Sequence, residues 1–379
     1  MNTLFTQLEC SLTEAQYDKE QLQTYSSAHK PLLAKYDLSK GFNKNLLSNR
    51  PHNMWRYREV LPVHKDENIV SLGEGMTPIL PFSKTPGVSL KDEALNPTGS
   101  FKARGLSMAI SKAKELGVTK CVIPTAGNAG GAMSAYCAKA GIEAHVFMPK
   151  NTPEVFKIEC QFFGAHVTMV DGTIKDCAHV ISERKNEDWF NVSTLKEPYR
   201  LEGKKTMGYE IAEQLNWKLP DVIIYPTGGG TGLIGIWKAF KEMEQLGWIS
   251  AAKKPRMVVV QTEACYPIVE AWSNNQIEAK TFEAPDLTMA NGLRVPSAFG
   301  DQLILECIYE SNGCAITVNE EEMLRGIGEV AKYEGILLSP EGSAVWKAYK
   351  KLLASKWLNE SDDVLLINTG SFYKYTENI

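Results

Sequence analysis

Short runs of apolar residues alternate with longer segments of helical pattern along most of this chain. In one repeat, the run Cys121–Pro124 is followed by a glycine-rich turn at 125–131 and an alanine-rich segment, Ala132–Lys139. The apolar runs, which we predict as strands, lie at 121–124, 145–148, 166–170, 222–225, 257–260 and 364–367. The predicted helices lie at 132–139, 153–163, 174–184 and 233–246. Short apolar strands between helices are typical of parallel sheets covered on both faces, so the pattern predicts an α/β fold.

The length of the chain predicts more than one domain. With 379 residues, of which 44 % are hydrophobic, the chain is too long for one ordinary hydrophobic core. We therefore expect two domains with a cleft between them.

The charge pattern argues against several classes of partner. The net charge is −4, both signs are scattered, and there is no run of five or more like charges. We therefore expect neither a nucleic-acid partner nor an acidic membrane surface. The first residues lack the basic and apolar regions of a signal peptide, and no apolar stretch reaches the roughly 18 residues of a membrane span. These features predict a soluble, cytoplasmic protein.

The cysteines and histidines are too dispersed to suggest a metal site. No two of the eight cysteines are separated by only two residues, as zinc and redox motifs require. The six histidines show no HExxH or similar ligand spacing. We predict that most of the cysteines are small core residues and that no metal is bound.

Glycine-rich or hydroxyl-rich turns follow three of the predicted strands. These turns are Thr-Ala-Gly-Asn-Ala-Gly-Gly at 125–131, Pro-Thr-Gly-Gly-Gly-Thr-Gly at 226–232 and Asn-Thr-Gly-Ser at 368–371. In open parallel sheets, ligands bind beyond the carboxyl ends of the strands. We therefore expect the three turns to meet at one pocket.

The turn at 228–232 is the strongest candidate for an anion site. Glycines let the backbone amides approach a ligand closely, and the following helix offers the positive end of its dipole. Glycines of this kind can also serve only to pack a strand against a helix. Two nucleotide motifs do not fit: the Walker A spacing is absent, and the loop comes too late in the chain for a dinucleotide fingerprint.

Lys102 lies just after the turn Asn-Pro-Thr-Gly-Ser-Phe, within Lys91–Gly105. A lysine held in a cleft by such a turn can form a Schiff base, whereas a lone lysine is ordinarily a surface residue that opens a helix. A phosphate loop together with a cleft lysine suggests pyridoxal phosphate, which needs an imine partner, a phosphate cradle and a partner for its pyridine nitrogen.

Four motifs in this order resemble those of the threonine synthase family, which belongs to the fold type II, or tryptophan synthase β-like, pyridoxal phosphate enzymes. They are the segments 91–105, 125–128, 226–232 and 368–371. Further matching segments are 73–78, 193–199, 202–207 and 292–296. The resemblance implies two open, mostly parallel sheet domains covered by helices, with the cofactor in the cleft between them. It also leads us to expect a homodimer.

The resemblance further implies the domain limits. We expect an N-terminal cap at 1–65, a large cofactor-binding domain at 66–104 and 198–379, and a smaller inserted α/β domain at 105–197. The cap resembles a zinc-ribbon-like segment of the family that has kept only Cys10 of its four cysteines, so we expect it to bind no zinc. We expect this segment to pack as a cap or a dimer contact.

The resemblance implies a role for each matching residue. Lys102 would form the Schiff base with the cofactor and then move protons as general base and acid, which requires a lowered pKa. Asn128 would bind the phenolic oxygen of the cofactor, and Thr369 would face its pyridine nitrogen. The cofactor phosphate would be held by Gly228, Gly229, Gly230, Thr231 and Gly232.

The implied reaction converts O-phospho-L-homoserine and water into L-threonine and phosphate. The substrate carboxylate is expected at the amides of the turn that opens a helix, Thr125, Ala126 and Gly127. The candidates for the substrate phosphate are Ser100, Lys157, Arg200, Lys204 and Lys205. Lys204 and Lys205 also suit a solvated helix start, and Arg104 could bridge structural carboxylates instead of touching substrate.

Other functions share much of this pattern. A threonine or serine dehydratase, or a β-replacement enzyme similar to cysteate synthase, would have the same cofactor residues. A metabolite sensor without catalysis is a second alternative, which the intact Lys102 argues against. A nucleotide-binding module that uses the glycine loop is a third, and its binding would not depend on Lys102.

Overall fold

The computed structural model describes residues 3–184, 187–250, 253–377 and 379. It divides into two compact units, and the chain passes between them several times. The first unit contains the described residues up to Met76, with Asn96–Thr98 and Lys102–Thr206. The second unit contains Thr77–Leu95, Gly99–Phe101 and the described residues from Met207 onwards.

Strands and helices alternate through most of both units. The strands are β1 Phe5–Cys10, β2 Gln16–Tyr17, β3 Leu32–Tyr36, β4 Ile79–Pro81, β5 Val88–Asp92, β6 Lys120–Pro124, β7 Glu143–Pro149, β8 His166–Val170, β9 Phe190–Asn191, β10 Val222–Pro226, β11 Arg256–Thr262, β12 Cys314–Val318 and β13 Val364–Asn368. The helices are α1 Lys102–Glu115, α2 Asn128–Ala140, α3 Glu154–Phe162, α4 Ile174–Glu183, α5 Tyr199–Gln214, α6 Thr231–Gln245, α7 Pro267–Ser273, α8 Asp301–Glu310, α9 Glu320–Glu334 and α10 Pro340–Ala354. In the part of the chain that is described, none of these helices has the length and apolarity to cross a bilayer.

The N-terminal residues form a small antiparallel sheet with the order β2-β1-β3. Its apolar side chains, among them Phe5, Leu8 and Leu32, share one core with Met108 and Ala109 of α1. The described residues 3–65 therefore pack within the first unit, and the expected limits of the cap and of the other domains stay a prediction. Within this sheet the Sγ of Cys10 lies 3.1 Å from the Oγ of Ser26.

The first unit also contains a parallel sheet with the order β8-β7-β6-β9. Successive side chains of a strand point to opposite faces, and both faces of this sheet are covered. Cys121 and Ile123 pack in one core with residues of α1, α2 and α3. Val122, between them, packs on the other face against Cys177 and Ile181 of α4. The predicted strands at 121–124, 145–148 and 166–170 are confirmed.

The second unit is built on a sheet with the order β12-β11-β10-β13-β5-β4. Its strands run parallel except β4, which lies antiparallel at one edge. Val222, Ile224 and Leu366 lie in a core that includes Ala344 and Val345 of α10. The predicted strands at 222–225, 257–260 and 364–367 are confirmed, and so is the α/β class with mostly parallel sheets.

Two predicted helices, α2 and α6, begin earlier than the sequence suggested, and α6 begins at Thr231 rather than at 233. α2 begins at Asn128 rather than at 132, so Gly130 and Gly131 lie in its first turn, and the turn predicted over 125–131 is too long. A Cβ at Gly130 would lie 2.8 Å from the Cγ2 of Thr125, and one at Gly131 would overlap the carboxylate of Glu159. These glycines are therefore required by close packing inside a helix.

Glu74 is a buried carboxylate that connects α1 and α2 within the first unit. It accepts hydrogen bonds from Ser107 Oγ of α1 at 2.6 Å and from Tyr136 Oη of α2 at 2.7 Å. It also accepts from Trp55 Nε1 at 2.8 Å and from the amide of Leu72 at 2.9 Å. Because buried polar groups are costly unless they are hydrogen-bonded, this network fixes the two helices against each other.

We expect Glu74→Gln to lower the free energy of unfolding by about 2 kcal/mol, because an amide would point N–H groups at these donors and leave buried groups unpaired. Urea unfolding followed by tryptophan fluorescence measures the change. The matched control is Glu67→Gln, at an exposed glutamate of the same unit, which should change stability by less than about 0.5 kcal/mol. Equal effects of the two substitutions would contradict the role of the network.

Candidate active site

The segment that leads to Lys102 is paired with the turn that follows β13. The amide of Phe101 donates to the carbonyl of Thr369 at 3.1 Å, and the amide of Ser371 donates to the carbonyl of Gly99 at 2.8 Å. Ser100 forms a bridge with Gly370 between these two bonds. The residues immediately before Lys102 are thus anchored to the sheet of the second unit.

A tight bend makes this pairing possible. Thr98 and Gly99 both have left-handed backbone conformations, with φ of 59° and 61°. Lys102 then begins α1 and is half-buried. The predicted tight turn before Lys102 is therefore present, and the prediction that it holds the lysine in a cleft stays a prediction.

Asn368, the last residue of β13, connects the start of the turn at 368–371 to the end of the neighbouring strand, β5. Its Nδ2 donates to Asp92 Oδ1 at 2.8 Å, and its Oδ1 accepts from Ser339 Oγ at 3.0 Å. Burial raises the pKa of Asp92 despite this hydrogen bond. The carboxyl ends of β5 and β13 are therefore fixed to each other by side chains as well as by the strand ladder.

The glycine loop at 228–232 lies between β10 and α6. A Cβ at Gly228 would overlap the carbonyl oxygen of Gly292, and one at Gly232 would overlap the hydroxyl of Tyr225. Close packing therefore explains these two glycines, as the simpler interpretation of the sequence proposed. Gly229, by contrast, is partly exposed.

The amino end of α6 is suited to an anion. Its N-cap residue, Gly230, has no side chain that could cap the helix, and its first turn contains no acidic residue. The first amides of a helix have no partners within the helix and carry a partial positive charge. Since β10, β13 and β5 are neighbours in the sheet, this loop opens at the same edge as the turns at 368–371 and 97–101.

The turn at 125–127, in the first unit, also precedes a helix whose amino end is suited to an anion. The amide of Gly127 donates to Thr125 Oγ1 at 3.2 Å, and the amide of Thr125 donates to the carbonyl of Phe147 at 2.9 Å. α2 begins directly afterwards at Asn128, again without a side-chain cap or an acidic residue in its first turn. Two of the three predicted turns share one sheet edge, and their meeting with this third turn stays a prediction.

Arg200, a candidate for the substrate phosphate, is 1 % exposed and lies in the first turn of α5. Its Nη1 donates to the carbonyl of Val192 at 2.7 Å. Its Nε and Nη2 are buried and make no hydrogen bond to any residue that the structure describes. Burial lowers the pKa of Arg200 to about 10, against the opposing charge of Glu197, so the guanidinium stays protonated near neutral pH.

The pair Lys204 and Lys205 lies inside α5 and is fully buried. The alternative of a solvated helix start is therefore wrong, because this helix packs on α1: a Cβ at Gly105 would lie 2.9 Å from Lys204 Cε. Lys205 Nζ lies 2.6 Å from Glu202 Oε2 and 3.9 Å from the ring centre of Tyr36.

The other two candidates for the substrate phosphate differ from each other in burial, since Lys157 is half-buried and Ser100 is fully buried. Lys157 projects from α3, where its Nζ lies 3.2 Å from Glu154 Oε2. Ser100 is fully buried, and its Oγ makes no hydrogen bond to the described residues. The hydroxyl of Thr98, on the other side of Gly99, is in the same state, and the sequence did not single it out.

No group of three or more His, Cys, Asp or Glu side chains that could hold a metal ion occurs among the described residues. All eight cysteines are buried and free of disulfides. The prediction that they are mostly small core residues is confirmed for those that join the hydrophobic clusters, such as Cys121, Cys137 and Cys160.

Comparisons with known proteins agree with this geometry. Residues 70–370 match the family model described as pyridoxal-phosphate dependent enzyme. The chain is 34 % identical to a threonine synthase of Methanocaldococcus jannaschii, over 86 % of this chain and 81 % of that protein. It is 31 % identical to a threonine synthase of Methanosarcina acetivorans, over 98 % of this chain and 93 % of that protein.

A solved structure supports the fold. An L-serine ammonia-lyase from Rhizomucor miehei superposes with a TM-score of 0.67 at 20 % identity, covering 80 % of this chain and 98 % of that one. At this identity the likeness concerns the fold alone. The family match and the two relatives show that the chain belongs to the pyridoxal-phosphate dependent enzymes and, within them, to the threonine synthase family.

Proposed function

We propose that this chain is a threonine synthase, which converts O-phospho-L-homoserine and water into L-threonine and phosphate. The reaction removes one proton from the α carbon and one from the β carbon, expels phosphate from the γ carbon and places a proton on that γ carbon. The hydroxyl of water is then added at the β carbon, and a proton returns to the α carbon. Relatives named threonine synthase cover most of the chain and support this assignment. The observation that carries the choice of a phosphorylated substrate is the buried Arg200, with two guanidinium nitrogens that no described residue satisfies.

The residues present fit pyridoxal phosphate. The uncapped amino end of α6 and the partly exposed Gly229 suit its phosphate, and Lys102 directly follows an anchored turn. We assign the cofactor to Lys102, Asn128, Gly228, Gly229, Gly230, Thr231, Gly232 and Thr369. When bound, the cofactor supplies an electron sink that stabilises negative charge on the substrate carbons.

Lys102 is the residue that we assign to proton transfer. Its Nζ would hold the cofactor in the resting enzyme. When free, the same Nζ would take a proton from the α carbon and one from the β carbon of the substrate, and would deliver protons to the γ and α carbons. An amine does this near neutral pH when its surroundings disfavour the charged form. The half-buried position of Lys102 at the start of α1 is consistent with this role.

The substrate is held at its two charged ends. We assign its carboxylate to the turn formed by Thr125, Ala126 and Gly127, because this turn precedes the amino end of α2. The amides of Thr125 and Gly127 already donate within the fold, so we assign the contact in this turn to the amide of Ala126. Among the candidates for its phosphate, Arg200 fits best, because a guanidinium binds phosphate through two parallel hydrogen bonds. Ser100 offers a buried hydroxyl for the same group. Lys205 already has a carboxylate partner, so we assign it to the fold.

The remaining features follow from the family. We propose that the enzyme acts as a homodimer in the cytoplasm, as the resemblance to threonine synthases implies. Its relatives and the family match support an enzyme of amino-acid biosynthesis rather than a silent sensor or a nucleotide-binding module.

We expect the purified protein, loaded with pyridoxal phosphate, to release inorganic phosphate from O-phospho-L-homoserine and to form L-threonine in equal amounts. Phosphate is measured colorimetrically and threonine by chromatography. Formation of 2-oxobutanoate from L-threonine, without phosphate release from the phosphorylated substrate, would instead establish a dehydratase.

We expect Lys102→Ala to lose the visible absorbance that the loaded wild type shows and to lower kcat by about 10²–10⁴-fold, because Lys102 is the residue that we assign to proton transfer. Absorbance spectra and phosphate release measure the two effects. Lys114→Ala, an exposed lysine of the same helix, is the matched control and should keep both. An unchanged spectrum of Lys102→Ala would refute the assignment.

We expect Arg200→Lys to lower kcat/KM for O-phospho-L-homoserine by about 30-fold or more, since lysine keeps the charge but cannot make two parallel bonds to phosphate. Steady-state phosphate release gives this ratio. Lys196→Gln removes an exposed charge four positions earlier and should stay within about twofold of the wild type. A similar kcat/KM for Arg200→Lys and the wild type would assign the substrate phosphate to other residues.

A further inference from the structure

Glu197 is a fully buried carboxylate just before α5, and only backbone groups bind it. Its Oε2 accepts from the amide of Tyr199 at 2.8 Å, and its Oε1 accepts from the amide of Arg200 at 2.9 Å. Within the described residues no side chain donates to it and no ion pair includes it. Its position, two residues before the first residue of the helix, makes it the cap of the turn that contains Arg200.

The two buried charges are close in sequence, yet they do not form a salt bridge. The guanidinium of Arg200 is directed to the carbonyl of Val192, while its backbone amide faces Glu197. A buried carboxylate without a side-chain partner pays a large desolvation penalty in its charged form. Burial therefore favours the neutral, protonated form of Glu197.

The pKa of Glu197 is set by burial and by a few neighbouring charged groups. Burial raises the pKa of Glu197 to about 7, the positive charge of Arg200 opposes this rise, and Glu202 adds to it. Glu202 has its own partners, Lys205 Nζ at 2.6 Å and Tyr36 Oη at 2.7 Å. The hydroxyl of Tyr199 stays neutral, because burial raises its pKa above the usual range. Arg200 is thus the charge that favours ionised Glu197.

An anion that binds Arg200 removes this support. It neutralises the guanidinium and brings further negative charge next to a carboxylate that is already disfavoured. Both effects raise the affinity of Glu197 for a proton. By linkage, protonation of Glu197 must strengthen the binding of the anion by the same factor.

We propose that Glu197 is a positioning residue that holds Arg200 for the substrate phosphate and takes up a proton from solvent when that phosphate binds. The inference rests on the proposed function of Arg200. When the phosphate product leaves, Glu197 returns the proton, and its carboxylate again balances the charge of Arg200. The proton does not enter the reaction, and the two backbone bonds of Glu197 persist in both states because each uses an oxygen as acceptor.

The test is titration calorimetry of the cofactor-loaded enzyme with sulfate, a phosphate-like dianion that does not itself titrate near pH 7. The apparent binding heat is measured in two buffers that differ in ionisation enthalpy, and the difference gives the number of protons taken up. We expect about 0.4 proton per bound sulfate at pH 7 and almost none at pH 5.5, where Glu197 is already protonated.

Glu197→Gln removes the titration and keeps one oxygen acceptor. Placed as Oε2 is, this oxygen reaches both amides, because Oε2 lies 2.8 Å from the amide nitrogen of Tyr199 and 3.2 Å from that of Arg200. We expect the substitution to abolish the proton uptake and to tighten sulfate binding by up to about tenfold at pH 8.5, with no difference from the wild type at pH 5.5. The matched control, Glu67→Gln, removes an exposed carboxylate of the same unit and should behave as the wild type.

The outcomes separate this inference from the proposed function. If sulfate binds with equal affinity to Arg200→Gln, the phosphate site is misassigned, and the proposed function loses its support. If binding requires Arg200 but the heats in the two buffers agree, the role of Glu197 is overturned. Absence of sulfate binding to the wild type overturns both. The two-buffer measurement on the wild type needs no variant, so a folding defect of Glu197→Gln would not affect it.

Discussion

The backbone pairing between residues 99–101 and 369–371 is the constraint on which the candidate site depends. After β5 the chain bends through the left-handed Thr98 and Gly99 and returns to the turn that leaves the neighbouring strand, β13. The bonds are made by amides and carbonyls, so they do not depend on any single side chain. Their effect is to fix the residue before Lys102 against the carboxyl edge of a parallel sheet, where ligands of such folds bind.

The sequence predicted the strands of the two parallel sheets because buried strands are continuous apolar runs. It predicted the glycine loop at 228–232 and the turn before Lys102 for a similar reason, since the need for glycine is local. It did not predict where α2 begins. Gly130 and Gly131 look like turn residues in the sequence. Only the close approach of Thr125 and Glu159 in the folded chain explains why glycine occupies these two positions of a helix.

Buried charge was the feature that sequence alone could least predict. A lysine or arginine in a helix normally faces water, so the pattern of α5 favoured a solvated face for Lys204 and Lys205. Lys204 is buried where α5 packs on Gly105 of α1, and Lys205 is buried beside Glu202 and the ring of Tyr36. Glu197 lies in the matching segment 193–199, but the sequence did not indicate its role. Its value as a cap depends on the chain turning into α5 two residues later, and its pKa depends on burial that arises only in the fold.

Two cations of α5 show how a structural charge differs from a functional one. Lys205 has its counter-ion at 2.6 Å, so the ion pair is complete within the fold. Arg200 is as deeply buried, but two of its nitrogens bind no described residue, and Glu197, whose charge acts on it, is held by backbone amides instead. Burying an incompletely paired charge costs several kcal/mol, and a hydrophobic residue of similar volume would serve stability better. An anion that arrives only with the substrate would explain why this cost persists, because it completes the hydrogen bonds that the fold leaves unmade.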